Sequence, residues 1–179
     1  MDKPILDSLG IDKNKPEKQQ RNQTGSPILE EGDILLNTTL AETNDWQQVD
    51  LPVVRTLRHF CIETLSSYTE DNQACISEVD LLDDKGQPID KTKWEVVYVS
   101  SEQADKNLGV AENLFDGDIS SFWHTDPATE PGQPHRIIVD IKEIYKISAL
   151  RFKVRKGAFL SGKVKEINVY GRPQFFLFH

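Results

Sequence analysis

Asp116-Gly117-Asp118 sets two carboxylates on a tight turn, and the glycine between them lets the backbone curl so that side-chain and carbonyl oxygens face one point. Hard Ca²⁺ is held by such oxygen clusters. An EF-hand does not describe the segment: counted from Asp116, the loop positions that require glycine and glutamate hold Ser121 and Pro127. A different chemistry is offered by His124, directly after Trp123, and by Arg155, on the solvent side at the end of Phe152-Lys153-Val154, the alternatives being a buried, hydrogen-bonded histidine and a surface cation. Planar groups with several hydrogen-bonding positions pair with sugar hydroxyls, and an aromatic ring covers the apolar face of a pyranose. Phe159, in the loop 156–162, is the candidate for that aromatic role.

Catalytic readings are weaker. The chain has no Gly-x-Ser-x-Gly elbow, no phosphate-binding loop and no paired-cysteine zinc spacing. His124, Asp126 and His135 could mimic the two-histidine, one-carboxylate iron triad, but His135 follows too closely in sequence to arrive from a distant strand. None of the acidic residues lies in a motif that demands a glycosidase role. The expectation is a non-catalytic chain. Its 21 Lys and Arg against 29 Asp and Glu leave a net charge of -8, which disfavours nucleic acid as a partner. No apolar run is long enough for a membrane span, and Met1-Asp2-Lys3-Pro4 lacks the apolar stretch of a signal peptide.

The elements that must position these groups are strands. Leu150, Phe152 and Val154 alternate with Arg151, Lys153 and Arg155, Trp94, Val96 and Tyr98 with Glu95, Val97 and Val99, and Ile167 and Val169 with Glu166 and Asn168. The Arg151, Lys153 and Arg155 face reads as solvated. Further strands are expected over 46–51, 57–65, 74–82, 135–141 and 174–178, with turns at Asp84-Lys85-Gly86 and Asp116-Gly117-Asp118. Such strands without a long amphipathic helix specify an all-β antiparallel sandwich or jelly roll. Residues 1–33 are polar, hold no aromatic residue and carry Pro4, Pro16 and Pro27, which reads as a flexible tether before a domain over 34–179. Cys61 and Cys75 could bridge if their strands pair in register in an oxidising compartment; two free thiols are the alternative.

Five ordered blocks then stand out: Trp94 to Glu102, Ala111-Glu112-Asn113-Leu114-Phe115-Asp116-Gly117-Asp118, Phe122-Trp123-His124-Thr125, Pro134 to Ile141 with Ile147 to Arg155, and Gly162 to Tyr170. Together they resemble the first half of the discoidin, or coagulation-factor type C, family, especially its family 32 carbohydrate-binding modules with a galactose-binding-like fold. Segments comparable to the family's second half precede them here: Trp46 to Pro52, Leu57 to Glu63 and Ile76 to Leu81. The halves look transposed, as in a circularly permuted single domain; a truncated tandem is the alternative. Sandwich termini lie close enough to be joined and reopened, and two half-sandwiches would each expose an apolar face. Phe175, Phe176 and Phe178 would supply a closing strand.

The resemblance implies a structural Ca²⁺ held by Asp116, Asp118, Ser121 and Glu78, with Ser121 in place of the usual threonine. It also places His124 and Arg155 where relatives contact a galactose-type sugar, although the tryptophan some relatives carry after the Trp-His-Thr block is replaced by Asp126 to Glu130. The implied function is glycan binding, outside the cell or at its surface and in adhesion, on behalf of a tethered enzyme or assembly. A protein-interaction module with the same fold is the alternative reading.

Overall fold

The computed structural model describes residues 25–128, 132–154 and 162–179. Seven strands form one antiparallel sheet in the order β1-β7-β2-β6-β3-β5, with β4 paired to β6 beside that path. The strands are β1 (Ile34–Thr39), β2 (Gln47–Thr64), β3 (Cys75–Asp83), β4 (Glu95–Val99), β5 (Trp123–His124), β6 (His135–Val154) and β7 (Glu166–Arg172). The described residues contain short 3₁₀ turns but no α-helix. The expected all-β sandwich is the observed architecture.

Two long strands make the sandwich from one sheet. The segments expected as separate strands over 46–51 and 57–65 are joined in β2, and those over 135–141 and 150–154 in β6. Gln47 to Asp50 pair with Phe152 to Ala149, while His59 to Thr64 pair with Asp140 to His135, and the register shifts between Asp50 and Arg55 and between Leu57 and His59. Those irregularities bend both strands so that each contributes to two layers. β1, β7 and β4 complete the layer around Asp140 to His135, and β3 and β5 complete the other. Between the layers lies a core that includes Leu57, Phe60, Ile62, Ile76, Leu81, Trp123, Ile137, Val139, Phe152 and Val169. Strands from both halves of the resemblance therefore share one sheet and one core.

Local departures have local causes. A register shift between Val96 and Tyr98 interrupts the alternation of β4. Val96 and Val99 then enter the core, whereas Tyr98 packs on the opposite face against Cys61, Ile138 and Phe176. The C-terminal residues do not form the expected strand; Phe178 makes a single antiparallel bridge to Pro27. That bridge is flanked by hydrogen bonds from Ile28 N to Leu177 O at 2.7 Å and from His179 N to Ser26 O at 3.0 Å. Residues 26–28 of the expected tether thus lie against the C-terminal segment; residues 1–24 are outside the described residues.

Cys61 and Cys75 are both buried. The bridge considered from sequence required β2 and β3 to be neighbours, but β6 runs between them. The face of β6 expected to be solvated is also engaged. Lys153 is buried and donates to Asn44 O at 2.5 Å, and Arg151 lies 4.7 Å over the Trp46 ring.

Candidate functional site

The 3₁₀ turn Ala111–Phe115 delivers the chain to Asp116, and Gly117 follows with φ 79°, a left-handed conformation that glycine adopts without Cβ strain. Asp118 N donates to Asp116 Oδ1 at 2.9 Å, Ser121 Oγ to Asp116 Oδ2, and Ser120 N to Asp118 Oδ1 at 2.9 Å. The same turn is tied to β3, because Gly117 N donates to Glu78 Oε2 at 3.0 Å. The Asp116 turn and the Glu78 strand are therefore neighbours, as the resemblance implied.

A residue not singled out in the sequence joins them. Lys91 Nζ donates to Glu78 Oε2, to Asp80 Oδ1 at 2.6 Å and to Val79 O at 3.1 Å. The Glu78 side chain is only 1 % exposed. Burial pushes its carboxyl up, to about 7, against the lowering effect of Lys91 and the Gly117 N–H. Its Oε1 has no hydrogen-bond partner. Beside Lys91 opens a cleft of about 420 Å³, lined by Lys91, Thr92, Glu112, Phe115, Asp116 and Gly117.

These donors do not fit Ca²⁺ in this arrangement. The ion takes about six to eight oxygens converging at roughly 2.3–2.6 Å. Here one oxygen of Glu78 is on an ammonium, and the carboxylates of Asp116 and Asp118 are used inside their own turn. Among the described residues no group of three His, Cys, Asp or Glu side chains is placed to hold a metal. Glu78, Asp116, Asp118 and Ser121 share a neighbourhood without forming a convergent shell.

The sugar candidates lie at one end of the second layer. Cys75 pairs with His124 and Ile76 with Trp123 on one side of β3, while Ile76 pairs with Val154 on the other. The end of β6 and His124 thus flank β3, roughly 10 Å apart by strand spacing. His124 is buried, its Nδ1 2.6 Å from Thr125 O, and its ring meets the Phe122 ring edge-on at 6.3 Å. Gly109 fixes it closely: a Cβ there would stand 2.9 Å from His124 Cβ. Arg155 and Phe159 lie outside the described residues.

Sequence reasoning missed the polar groups that hold this end together. Thr125 Oγ1 donates to Gln73 Oε1 at 2.6 Å, Ala74 N to Thr125 Oγ1 at 3.0 Å, and Thr64 Oγ1 to Gln133 Oε1 at 2.8 Å. His135, expected to have a packing role, is buried with Nε2 2.8 Å from Asn72 O. The glutamines sit in loops without a repeating pattern; their positions beside strand ends were the available signal.

Residues 96–174 match the model of the F5/8 type C domain, and the sandwich described above is consistent with a discoidin-type domain. The chain is similar to a sialidase of Micromonospora viridifaciens, with 33 % identity over 84 residues. The aligned stretch covers 46 % of this chain and 13 % of the sialidase. No helix among the described residues is long and apolar enough to cross a membrane.

Proposed function

We propose that the chain is a non-catalytic carbohydrate-binding module acting outside the cell or at its surface. The similarity to a stretch that is 13 % of a sialidase carries this reading. A stretch of that size is suited to bring glycan to a separate catalytic region, where tethering raises the effective concentration of the partner. The transposed order of the halves reads as a circular permutation, supported by the pairing of β2 and β3 with β6.

The proposed site is the sheet end flanked by His124 and Arg155, with Phe159 as the aromatic contact and a galactose-type or related glycan as ligand. Arg155 and Phe159 enter on sequence alone. For His124 the supporting observation is the strand register, which sets Trp123 and His124 on one side of β3 and Val154, the residue before Arg155 in sequence, on the other. A glycan array probed with and without Ca²⁺ tests the reading, beside Arg155→Ala and His124→Ala variants checked for folding by circular dichroism. Selective binding lost in folded variants is the expected result. No binding by the folded wild type would favour a protein-interaction module, for which the apolar segment with Phe175 57 % and Leu177 59 % exposed is the supporting observation.

A further inference from the structure

We infer that Lys91 is the resident cation of the junction between β3 and the Asp116 turn, and that its ammonium does there the work which the resemblance assigns to Ca²⁺. Glu78 and Asp80 are two residues apart on β3, so their carboxylates project from the same face of the strand. Glu78 is almost fully buried and Asp80 is 14 % exposed. Two adjacent carboxylates with so little water require a positive charge. An ammonium has three N–H donors. Glu78 Oε2, Asp80 Oδ1 and Val79 O supply acceptors for all of them.

The local chain path explains how the lysine arrives. Asp83 Oδ1 accepts from Lys85 N and Gln87 N, each at 2.9 Å, which closes a tight reversal after β3. The returning segment lies back along the strand, with Pro88 bridged to Leu82 and Ile89 N donating to Leu81 O at 3.0 Å. Continuing in that direction brings Lys91 level with Val79, between the two acidic side chains. The segment is also the connection between the two halves of the resemblance, from Asp83 to Glu95. The cation is therefore tethered to the strand it neutralises, whereas a metal would have to be captured from solution.

The consequence is a discoidin-type sandwich whose turn is tied to β3 without divalent metal. A bound ammonium also repels a second cation from the same oxygens. Thermal unfolding of the full chain tests this, in millimolar Ca²⁺ and in chelator, with calorimetric titration of Ca²⁺ alongside. The two melting temperatures are expected to agree within about 1 °C, with no saturable heat, because a ligand that does not bind the native state cannot stabilise it. Lys91→Met, which keeps the apolar stem, should lower the melting temperature by roughly 5–10 °C by leaving a buried carboxylate unpaired. Adding Glu78→Gln to that variant should recover much of the loss.

A wild-type melting temperature raised by about 3 °C or more in Ca²⁺, or one Ca²⁺ bound per chain, would overturn the inference. So would Lys91→Met melting like wild type. Should Lys91→Met not fold, the wild-type comparison in Ca²⁺ and chelator still decides the matter, as does the Lys91→Met, Glu78→Gln double variant. Each readout is independent of glycan binding, so loss of the sugar reading would leave the cation question intact.

Discussion

Asp140 shows how single residues make this sandwich sensitive to acid. Its carboxylate accepts from Arg58 Nε at 2.9 Å and Nη2 at 3.0 Å and from Lys142 N at 2.7 Å, and lies 3.6 Å from His59 Nε2. Burial acts to raise the Asp140 pKa, but the Arg58 and Lys142 hydrogen bonds and the charges of His59 and Arg58 together bring it below the ordinary aspartate value. His59 is shifted down, first by burial and then by Arg58, with Asp140 opposing. Both groups bind protons more readily in the unfolded chain, so both make stability rise with pH. The His59 contribution is present above its unfolded pKa of about 6.5 and is lost as pH falls through the lower folded value. The Asp140 contribution is present above its unfolded value near 4 and disappears only in stronger acid, through its depressed folded pKa. Glu78, whose carboxyl is raised to about 7, acts with the opposite sign between that value and its ordinary 4.5, so in denaturant titrations from pH 8 to pH 3 the His59 and Asp140 contributions are read as differences between wild type and single variants. Asp140→Asn should cost about 1–2 kcal/mol at neutral pH, a difference that shrinks in acid below about pH 4, while the difference between wild type and His59→Phe should change below about pH 6.5.

Among the elements, β5 depends on a neighbour with no side chain. His124 N donates to Gly109 O at 3.1 Å, and Gly109 N to Gln103 O at 2.8 Å, so the glycine backbone is clamped on both sides. A Cβ there would meet His124 Cβ at 2.9 Å and Gln103 Cβ at 3.0 Å, atoms that cannot swing away. Gly109→Ala is expected to destabilise by about 1–3 kcal/mol as β5 is displaced, while Gly32→Ala, where a Cβ meets nothing within 4 Å, stays within about 0.5 kcal/mol of wild type. Equilibrium denaturation separates the two.

The same scale shows what the sequence made legible. Period-two alternation marked most strand segments, because a half-buried strand advertises its inward face. It did not mark the continuity of β2 and β6, since the exposed Val53 and Val54 and the exposed Ile144 sit at the bends where the alternation breaks. β1 went unrecognised: Ile34 to Thr39 has two adjacent buried leucines in place of an alternating pattern. The proximity of Glu78 to the Asp116 turn was readable through family resemblance. Lys91 was not, because one lysine in a connecting segment has no periodicity, and its partners are fixed only by the reversal after β3.

At the scale of the whole molecule, the two end segments form a cover. Phe176 packs with Cys61 and Ile138 on the outer face of the first layer, with Leu29, Tyr98 and Tyr170 around them. Phe175 lies 4.2 Å from the His59 ring. Burial drives the Cys61 thiol far above its ordinary pKa, leaving it protonated and unreactive in the intact fold. A chain ending at Pro173 should remain folded through the core between the layers, yet expose this thiol. Native alkylation of Cys61 should then accelerate by at least about tenfold, with Cys75 remaining protected in the interior. Mass mapping of the alkylated peptides reads both sites in one experiment, and equal protection of Cys61 in both chains would show that the end segments do not shield it.

The position of β6 also sets a timetable. β2, β3 and β4 all take hydrogen bonds from it, yet all three precede it in the chain. During synthesis at about 5–20 residues per second, β2 must wait on the order of several seconds, edges bare, before its partner leaves the ribosome. β1 waits longer still, for β7. Such a chain is largely made before it can fold, and its hazard in the cell lies in that interval, when a neighbouring nascent copy can offer a strand sooner than its own β6 does.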